Sequence, residues 1–114
     1  MPTLIIKTNA DLKGIDRPTL LQTASTSVAE LLGKPERYVM VILEQHPDMC
    51  FGGDSAPLAY LELKSIGLPE QQTTQFSARL CDLVQAHLGV APSRVYIEFT
   101  APPRHLFGFD GGTF

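Results

Sequence analysis

Apolar positions follow one succession twice along the chain: a short stretch, a longer amphipathic stretch and a second short stretch. Thr3 to Lys7 is short, apolar and β-branched, which predicts a strand. Apolar side chains then recur at helical spacing, at Leu20, Leu21, Ala24, Val28, Leu31 and Leu32. Asp16 before this stretch is typical of a helix N-cap, and Gly33 after it of a left-handed stop. Tyr38 to Glu44 is predicted as the second strand.

The second half of the chain has the same order of elements. Leu58 to Lys64 is predicted as a strand and Pro69 to Leu88 as a helix. The apolar stripe of that helix comprises Phe76, Leu80, Leu83, Val84 and Leu88. Gly89 ends the helix, and Val95 to Phe99 is the last long strand. A strand, a helix and a strand of these lengths predict a right-handed β-α-β unit in each half.

The two halves also resemble each other residue by residue. An offset of 57, half of the 114 residues, relates Leu4, Ile6, Lys7, Pro35 and Arg37 to Leu61, Leu63, Lys64, Pro92 and Arg94. We therefore predict a single α+β domain spanning residues 1–114, with repeats at about 2–45 and 58–100 and pseudo-two-fold symmetry. Chance similarity between apolar strands is the alternative interpretation.

Two helices are too few to cover a four-stranded sheet on both sides. The stretch from Val39 to Leu43 is apolar on both alternating faces, a pattern typical of a strand covered twice. With both helices on one face, the other face is predicted to be bare and apolar, and therefore to pack against further copies of the chain. We expect a homo-oligomer with the sheets facing inward. The alternative is that the 49–57 loop and the C-terminal tail cover this face.

Composition and charge narrow the function classes. Hydrophobic residues make up 44% of the chain and charged residues 18%, which excludes a disordered protein. The net charge of −3, with no basic stripe, argues against nucleic acid or a membrane as partner. No membrane span or secretory signal is recognisable, so the expected location is cytoplasmic, with signal-independent export left open. Cys50 and Cys81 form no disulfide framework and no zinc set.

Few residues suggest catalysis by their type and position. Phosphate-binding loops and metal-binding motifs are absent, and the spacing of His46, His87 and His105 fits no metal site. If Met1 is removed, Pro2 becomes a secondary amine at the start of an apolar strand, where burial and a nearby cation would keep it neutral. Lys34 is a candidate for this cation. The second half has Val90 and Ala91 at the corresponding place, so the repeat does not require a charge there. Each residue also has an alternative interpretation. Proline is common after Met1 for reasons of N-terminal processing alone, and Lys34 can simply complement the dipole of the helix that ends before it.

Several short motifs in order resemble the macrophage migration inhibitory factor family of the tautomerase superfamily. They are Met1-Pro2-Thr3-Leu4, Thr8-Asn9, Gly33-Lys34-Pro35 with Tyr38, Phe51-Gly52-Gly53, Ser65-Ile66-Gly67, Arg94-Val95-Tyr96-Ile97 and Thr113-Phe114. The resemblance implies a homotrimer of two β-α-β units per chain, with active sites at subunit interfaces. It also implies a keto–enol tautomerase for phenylpyruvate-like aromatic keto acids, with dopachrome-type surrogate substrates and no metal or organic cofactor.

The resemblance assigns a role to individual residues. Pro2 would be the general base, and Lys34 would bind the substrate carboxylate. The backbone N–H of Ile66 would be a further polar contact, and Tyr96 would come from the neighbouring subunit. Tyr38 and Phe114 would form the apolar wall around the substrate ring.

Three pocket positions differ from the family pattern. Glu98 stands where relatives commonly have asparagine, and we expect it to counter Lys34 and alter anion binding. Phe107 and Phe109 replace valine and tryptophan, so the pocket should stay apolar but change shape.

Other departures bear on further activities. Leu58 and Leu61 replace the cysteine pair linked to thiol–disulfide activity, which we therefore do not expect. Lys13 and His46 stand near the positions linked to chemokine-receptor mimicry and do not match them. Tautomerisation has two alternatives. The chain could be a cytokine-like binding protein with a vestigial site, or an enzyme that hydrates or dehalogenates an unsaturated acid.

Overall fold

The computed structural model describes residues 1–114 and contains two long helices and six strands. In chain order these are β1 (Thr3–Thr8), α1 (Arg17–Leu32), β2 (Met40–Gln45), β3 (Ala59–Lys64), α2 (Thr73–Leu88), β4 (Val95–Thr100), β5 (Gly108–Phe109) and β6 (Gly112–Thr113). The four long strands form one mixed sheet in the order β2-β1-β3-β4, and β5 and β6 pair separately. The predicted α+β class, with four strands and two helices, is confirmed.

The sheet joins the two halves along its middle. Within each half the two strands are parallel, β1 with β2 and β3 with β4, whereas β1 and β3 are antiparallel. Ile5 pairs with Glu62, its own counterpart at the offset of 57 residues. An approximate two-fold axis therefore passes between these two residues.

Both helices pack on the same face of the sheet, where the core lies. Alternate residues of β1 and β3 point into it, and Leu4, Ile6, Leu61 and Leu63 are fully buried there. The apolar stripe of α2, including Phe76, is also buried against the sheet. No helix of the structure combines the length and the apolar character that a bilayer span requires.

The helix ends follow the capping rules that their sequences suggest. The Asp16 carboxylate accepts a hydrogen bond from the Thr19 N–H at 3.1 Å and so caps α1. Gly33 and Gly89 end the two helices in the left-handed conformation, with φ of 62° and 69°. Glycine adopts this conformation without a Cβ clash, which is why both helices stop where they do.

Two boundaries predicted from the sequence are wrong. Tyr38 lies in a single 3-10 turn, Glu36–Tyr38, and β2 begins only at Met40. Likewise a 3-10 turn precedes α2, which starts at Thr73 rather than Pro69. In both places a proline directly before the turn holds an extended backbone, so the chain enters the next element one turn late.

The C-terminal hairpin was not predicted. Phe109 pairs with Gly112 across a turn whose central residues, Asp110 and Gly111, have φ of 51° and 79°. Positive φ at both central positions is characteristic of the tight turn that Asp-Gly favours in hairpins. The signal was therefore present in the sequence, but strands of two residues are too short to show a periodicity.

The sheet face opposite the helices is free of helices, as predicted, but it is not apolar. No helix covers it, and Met40 and Tyr96 on it are 59% and 67% exposed. The prediction that it is apolar is wrong, because β3 and β4 alternate and place charged residues there, among them Glu62 and Glu98. The loop and tail also touch its ends: Phe51 packs on Tyr96, and a pocket at the tail includes Met40.

Shortening a core leucine of α2 should destabilise the fold strongly. Leu80 is fully buried, so Leu80→Ala is expected to lower the free energy of unfolding by about 2–5 kcal/mol through lost burial and a residual cavity. Gln85→Ala, on the exposed side of the same helix, should change it by less than about 0.5 kcal/mol. Urea unfolding at a fixed protein concentration measures both, and equal effects would contradict this packing.

Candidate functional site

Pro2 is fully buried at the entry to β1. Its carbonyl accepts a hydrogen bond from the Met40 N–H at 3.0 Å, which extends the β1–β2 ladder by one step. Proline has no N–H to offer a ladder, so the first position of a strand is one where it is tolerated. The sheet therefore holds the Pro2 ring inside the molecule.

A pocket of about 310 Å³ opens beside this chain start. It is lined by Met1, Thr3, Arg37, Tyr38, Met40, Phe107, Gly108, Phe109 and Phe114. The Tyr38 ring meets the rings of Phe109 and Phe114 edge to face, at centroid distances of 5.5 and 6.1 Å. The Phe114 N–H donates to the Phe107 carbonyl at 3.1 Å and so fixes the C-terminal residue in this wall. The structure thus brings together four of the five aromatic residues that the resemblance assigned to the site, all except Tyr96.

The amine at the chain start lies in surroundings that disfavour its charged form. Burial lowers the pKa of the Met1 ammonium, and the positive charges of Lys34 and Arg104 lower it further. Lys34 therefore acts electrostatically on the N-terminal ammonium. Arg104 was not among the predicted residues, since it lies in a 3-10 turn just before the hairpin, where the sequence shows no pattern.

Lys34 departs from the packing that its position normally has. Its N–H donates to the Ala29 carbonyl at 3.0 Å, directly after the left-handed Gly33. In this helix-ending motif the residue after the glycine usually makes an apolar contact. In the second half that residue is Val90, which is fully buried, whereas Lys34 is only half-buried. The local fold therefore does not require a charge at this point.

Ile66 lies at the same end of the sheet as Pro2. Thr3 pairs with Lys64, so the residues that follow β3 lie beside the start of β1. The neighbouring Ser65 N–H donates to the Thr100 carbonyl at 3.0 Å, but the Ile66 N–H makes none of the backbone hydrogen bonds of the turns and loops. That N–H is free to bind another group.

Tyr96 and Glu98 do not join this pocket within one chain. Both lie on β4, and Tyr96 lines a separate pocket of about 300 Å³ in which Phe51 packs on it at 4.8 Å. The Glu98 carboxylate accepts a hydrogen bond from the Tyr60 hydroxyl at 3.2 Å, which with burial raises the pKa of Tyr60. Glu98 thus has a partner on its own sheet, and a role for either residue beside Lys34 requires a second chain.

Arg94 organises the loop beside Tyr96, a function that the sequence did not reveal. Its guanidinium donates to the carbonyls of Pro57 at 3.0 Å, Asp54 at 2.8 Å and Phe51 at 3.4 Å. It also lies 5.4 Å from the centre of the Phe51 ring. Arg94 appeared in the sequence as a repeated residue and in one of the family motifs, but its contacts were not predictable, because backbone carbonyls that converge from a loop leave no sequence pattern.

The geometry agrees with comparisons to known proteins. The family model described as "Macrophage migration inhibitory factor (MIF)" matches residues 1–114. The chain is 36% identical over 115 residues to a macrophage migration inhibitory factor homolog of Brugia malayi, covering 100% of this chain and 99% of the relative. It is 32% identical to the macrophage migration inhibitory factor of Rattus norvegicus, with the same coverage.

Solved structures give the same result. The homologue from Prochlorococcus marinus superposes with a TM-score of 0.93 at 39% identity, covering 98% of both chains. The protein from Trichinella spiralis superposes with a TM-score of 0.92 at 30% identity, covering 98% of this chain and 99% of its own. The resemblance inferred from the short motifs is confirmed.

Removing the charge of Lys34 should raise the pKa of the N-terminal amine. Because its positive charge disfavours the ammonium, Lys34→Met is expected to move that pKa upward, towards the ordinary value. Lys13→Met is the matched control, since Lys13 follows the opposite end of β1 and should have no effect. Titration of the ¹⁵N-labelled amine by NMR measures both, and an unchanged or lowered pKa in Lys34→Met would contradict this arrangement.

Proposed function

The chain belongs to the macrophage migration inhibitory factor family, and from that premise we propose that it is a keto–enol tautomerase for phenylpyruvate-like acids with the Pro2 nitrogen as general base. The observation that carries the proposal is the position of Pro2. It is fully buried beside an aromatic pocket, and burial and the charges of Lys34 and Arg104 lower the pKa of the neighbouring Met1 ammonium. A base with a pKa near the working pH is the most effective proton carrier.

Removal of Met1 is the step that makes this base available. With Met1 attached, the Pro2 nitrogen is an amide and carries no basic lone pair, and the Met1 side chain lines the pocket. Without it, the same surroundings act on a secondary amine that is held deeper in the protein. The loss of Met1 also leaves room in the pocket for a substrate.

The remaining residues suit the rest of the reaction. Lys34 would bind the carboxylate of the keto acid, with the free N–H of Ile66 as a second donor. Tyr38 and Phe114 would pack around the substrate ring, with Phe107 and Phe109 completing the wall.

The proton transfer itself is simple. The Pro2 nitrogen takes a proton from the carbon next to the keto group, a C=C bond forms, and the carbonyl oxygen takes up the negative charge. That oxygen then takes a proton from the Pro2 ammonium, which gives the enol and restores the neutral amine. The cations near Pro2 stabilise the charge that develops in between.

We further propose that the active unit is a homotrimer in which Tyr96 and Glu98 reach the Pro2 pocket of the neighbouring subunit. The helix-free sheet face with its exposed Met40, Ile42 and Tyr96 supports association, because apolar side chains of this size favour burial. In such a site Tyr96 would donate to the substrate oxygen. Glu98, held by Tyr60, would moderate the charge of Lys34.

Replacing the base should remove the activity and leave the fold intact. Pro2→Gly substitutes a primary amine of different basicity and geometry, and kcat/KM for phenylpyruvate is expected to fall by about 10²–10⁴-fold. A form that retains Met1 should be equally inactive. Pro47→Gly, in an exposed loop after β2, is the matched control and should keep the wild-type rate. Mass spectrometry of each protein establishes whether Met1 is present.

Wild-type rates in Pro2→Gly would refute the mechanism. A trimmed wild-type protein with no turnover of any keto acid, but with specific receptor binding in a pull-down, would instead favour the cytokine-like alternative. Turnover of a halogenated or unsaturated acid in place of phenylpyruvate would point to the hydration or dehalogenation chemistry.

Mixing two inactive variants should restore activity if the site is shared between subunits. Tyr96→Ala and Pro2→Gly chains, unfolded together and refolded at equal amounts, would give intact sites where an unaltered Pro2 faces an unaltered Tyr96. Random assembly predicts this for about a quarter of the sites. The keto-acid assay before and after mixing measures the recovery, and no recovery from correctly assembled oligomers would refute a site shared between subunits.

A further inference from the structure

The pocket beside Pro2 contains a guanidinium that the proposed tautomerase reaction does not use. Arg37 lines this pocket together with the aromatic wall, and its guanidinium carbon lies 4.8 Å from the centre of the Tyr38 ring. Stacking on an aromatic ring holds an arginine in place without consuming its hydrogen-bond donors. Arg37 is therefore an oriented cation at the edge of the substrate space.

No acidic side chain neutralises this cation. None of the nine residues that line the pocket is Asp or Glu. Glu36, the nearest acid in sequence, accepts a hydrogen bond from the Thr26 hydroxyl of α1 at 3.3 Å and is thus engaged elsewhere. The three ion pairs of the chain join His46 to Glu44, Lys64 to Glu62 and Arg79 to Glu30, and none includes Arg37.

The surplus of positive charge is local and not a property of the whole chain. The net charge is −3, yet Lys34, Arg37 and Arg104 form no ion pair. Lys34 and Arg104 are close enough to the chain start to affect its amine. One carboxylate on the substrate satisfies one of these cations, which leaves at least one guanidinium without a partner.

We propose that the substrates of this site carry two anionic groups: the carboxylate of the keto acid, bound by Lys34, and a second carboxylate on the aromatic ring, bound by Arg37. This inference rests on the tautomerase proposal and names its substrate class. A guanidinium presents paired donors that match a carboxylate, so the second group adds both attraction and orientation. With a simple phenylpyruvate, whose ring is phenolic or unsubstituted, the N–H groups of the Arg37 guanidinium would bind only water.

The test compares substrates that differ only in charge. The first is 4-carboxyphenylpyruvate, and the second is its neutral isostere, 4-carbamoylphenylpyruvate. For the trimmed wild-type protein at low salt, kcat/KM should favour the carboxylate by about tenfold, mostly through KM, and the preference should shrink as salt is added. Arg37→Gln should reduce the ratio to about one. Arg79→Gln is the matched control and should keep the wild-type ratio, because Arg79 lies on α2, pairs with Glu30 of α1 and does not line this pocket.

Each outcome decides the proposal. A wild-type ratio near one, or a preference that survives in Arg37→Gln, would overturn it. A preference lost in Arg104→Gln but kept in Arg37→Gln would assign the second anion to Arg104 instead. If no keto acid is turned over, the tautomerase proposal fails separately, and the affinities of the two acids measured by calorimetry on the same variants still test the role of Arg37.

Discussion

The antiparallel pairing of β1 with β3 is the interaction on which both the fold and the candidate site depend. Each half of the chain alone is a two-stranded parallel unit with one helix. Joining them through β1 and β3 places both helices on one face and creates a single core. The same pairing brings the residues that follow β3, among them Ile66, beside the chain start.

The chemistry that we propose follows from where this pairing leaves the first residues. A chain terminus is normally solvated, because burying a charge is costly. Here Pro2 is buried by the sheet, and the surrounding charges are Lys34 and Arg104 rather than carboxylates. Both effects act in the same direction and favour a neutral amine. The fold thus turns an ordinary terminal group into a candidate base without any metal ligand set or nucleophile.

The sequence predicted those features that have a local cause. The Asp16 cap, the glycines that end the helices and the alternation of β1 and β3 each depend on a few neighbouring residues. Features that leave no pattern in the sequence were missed. The loop clamp of Arg94 is made with backbone carbonyls, and the stacking of Arg37 on Tyr38 depends on how a 3-10 turn orients two adjacent side chains. The error about the open face arose from extending the pattern of β2 to the whole sheet.

The duplicated architecture is symmetric in its backbone but can carry this chemistry only once. The counterpart of Pro2 at the offset of 57 is Ala59, which is buried in the middle of the chain and can never present a free amine. The helix-end position of Lys34 is likewise filled by Val90, which packs into the core. At the helix end the second half therefore follows the packing rule, and the first half departs from it. A departure of this kind is what function, rather than stability, is expected to leave in a repeated fold.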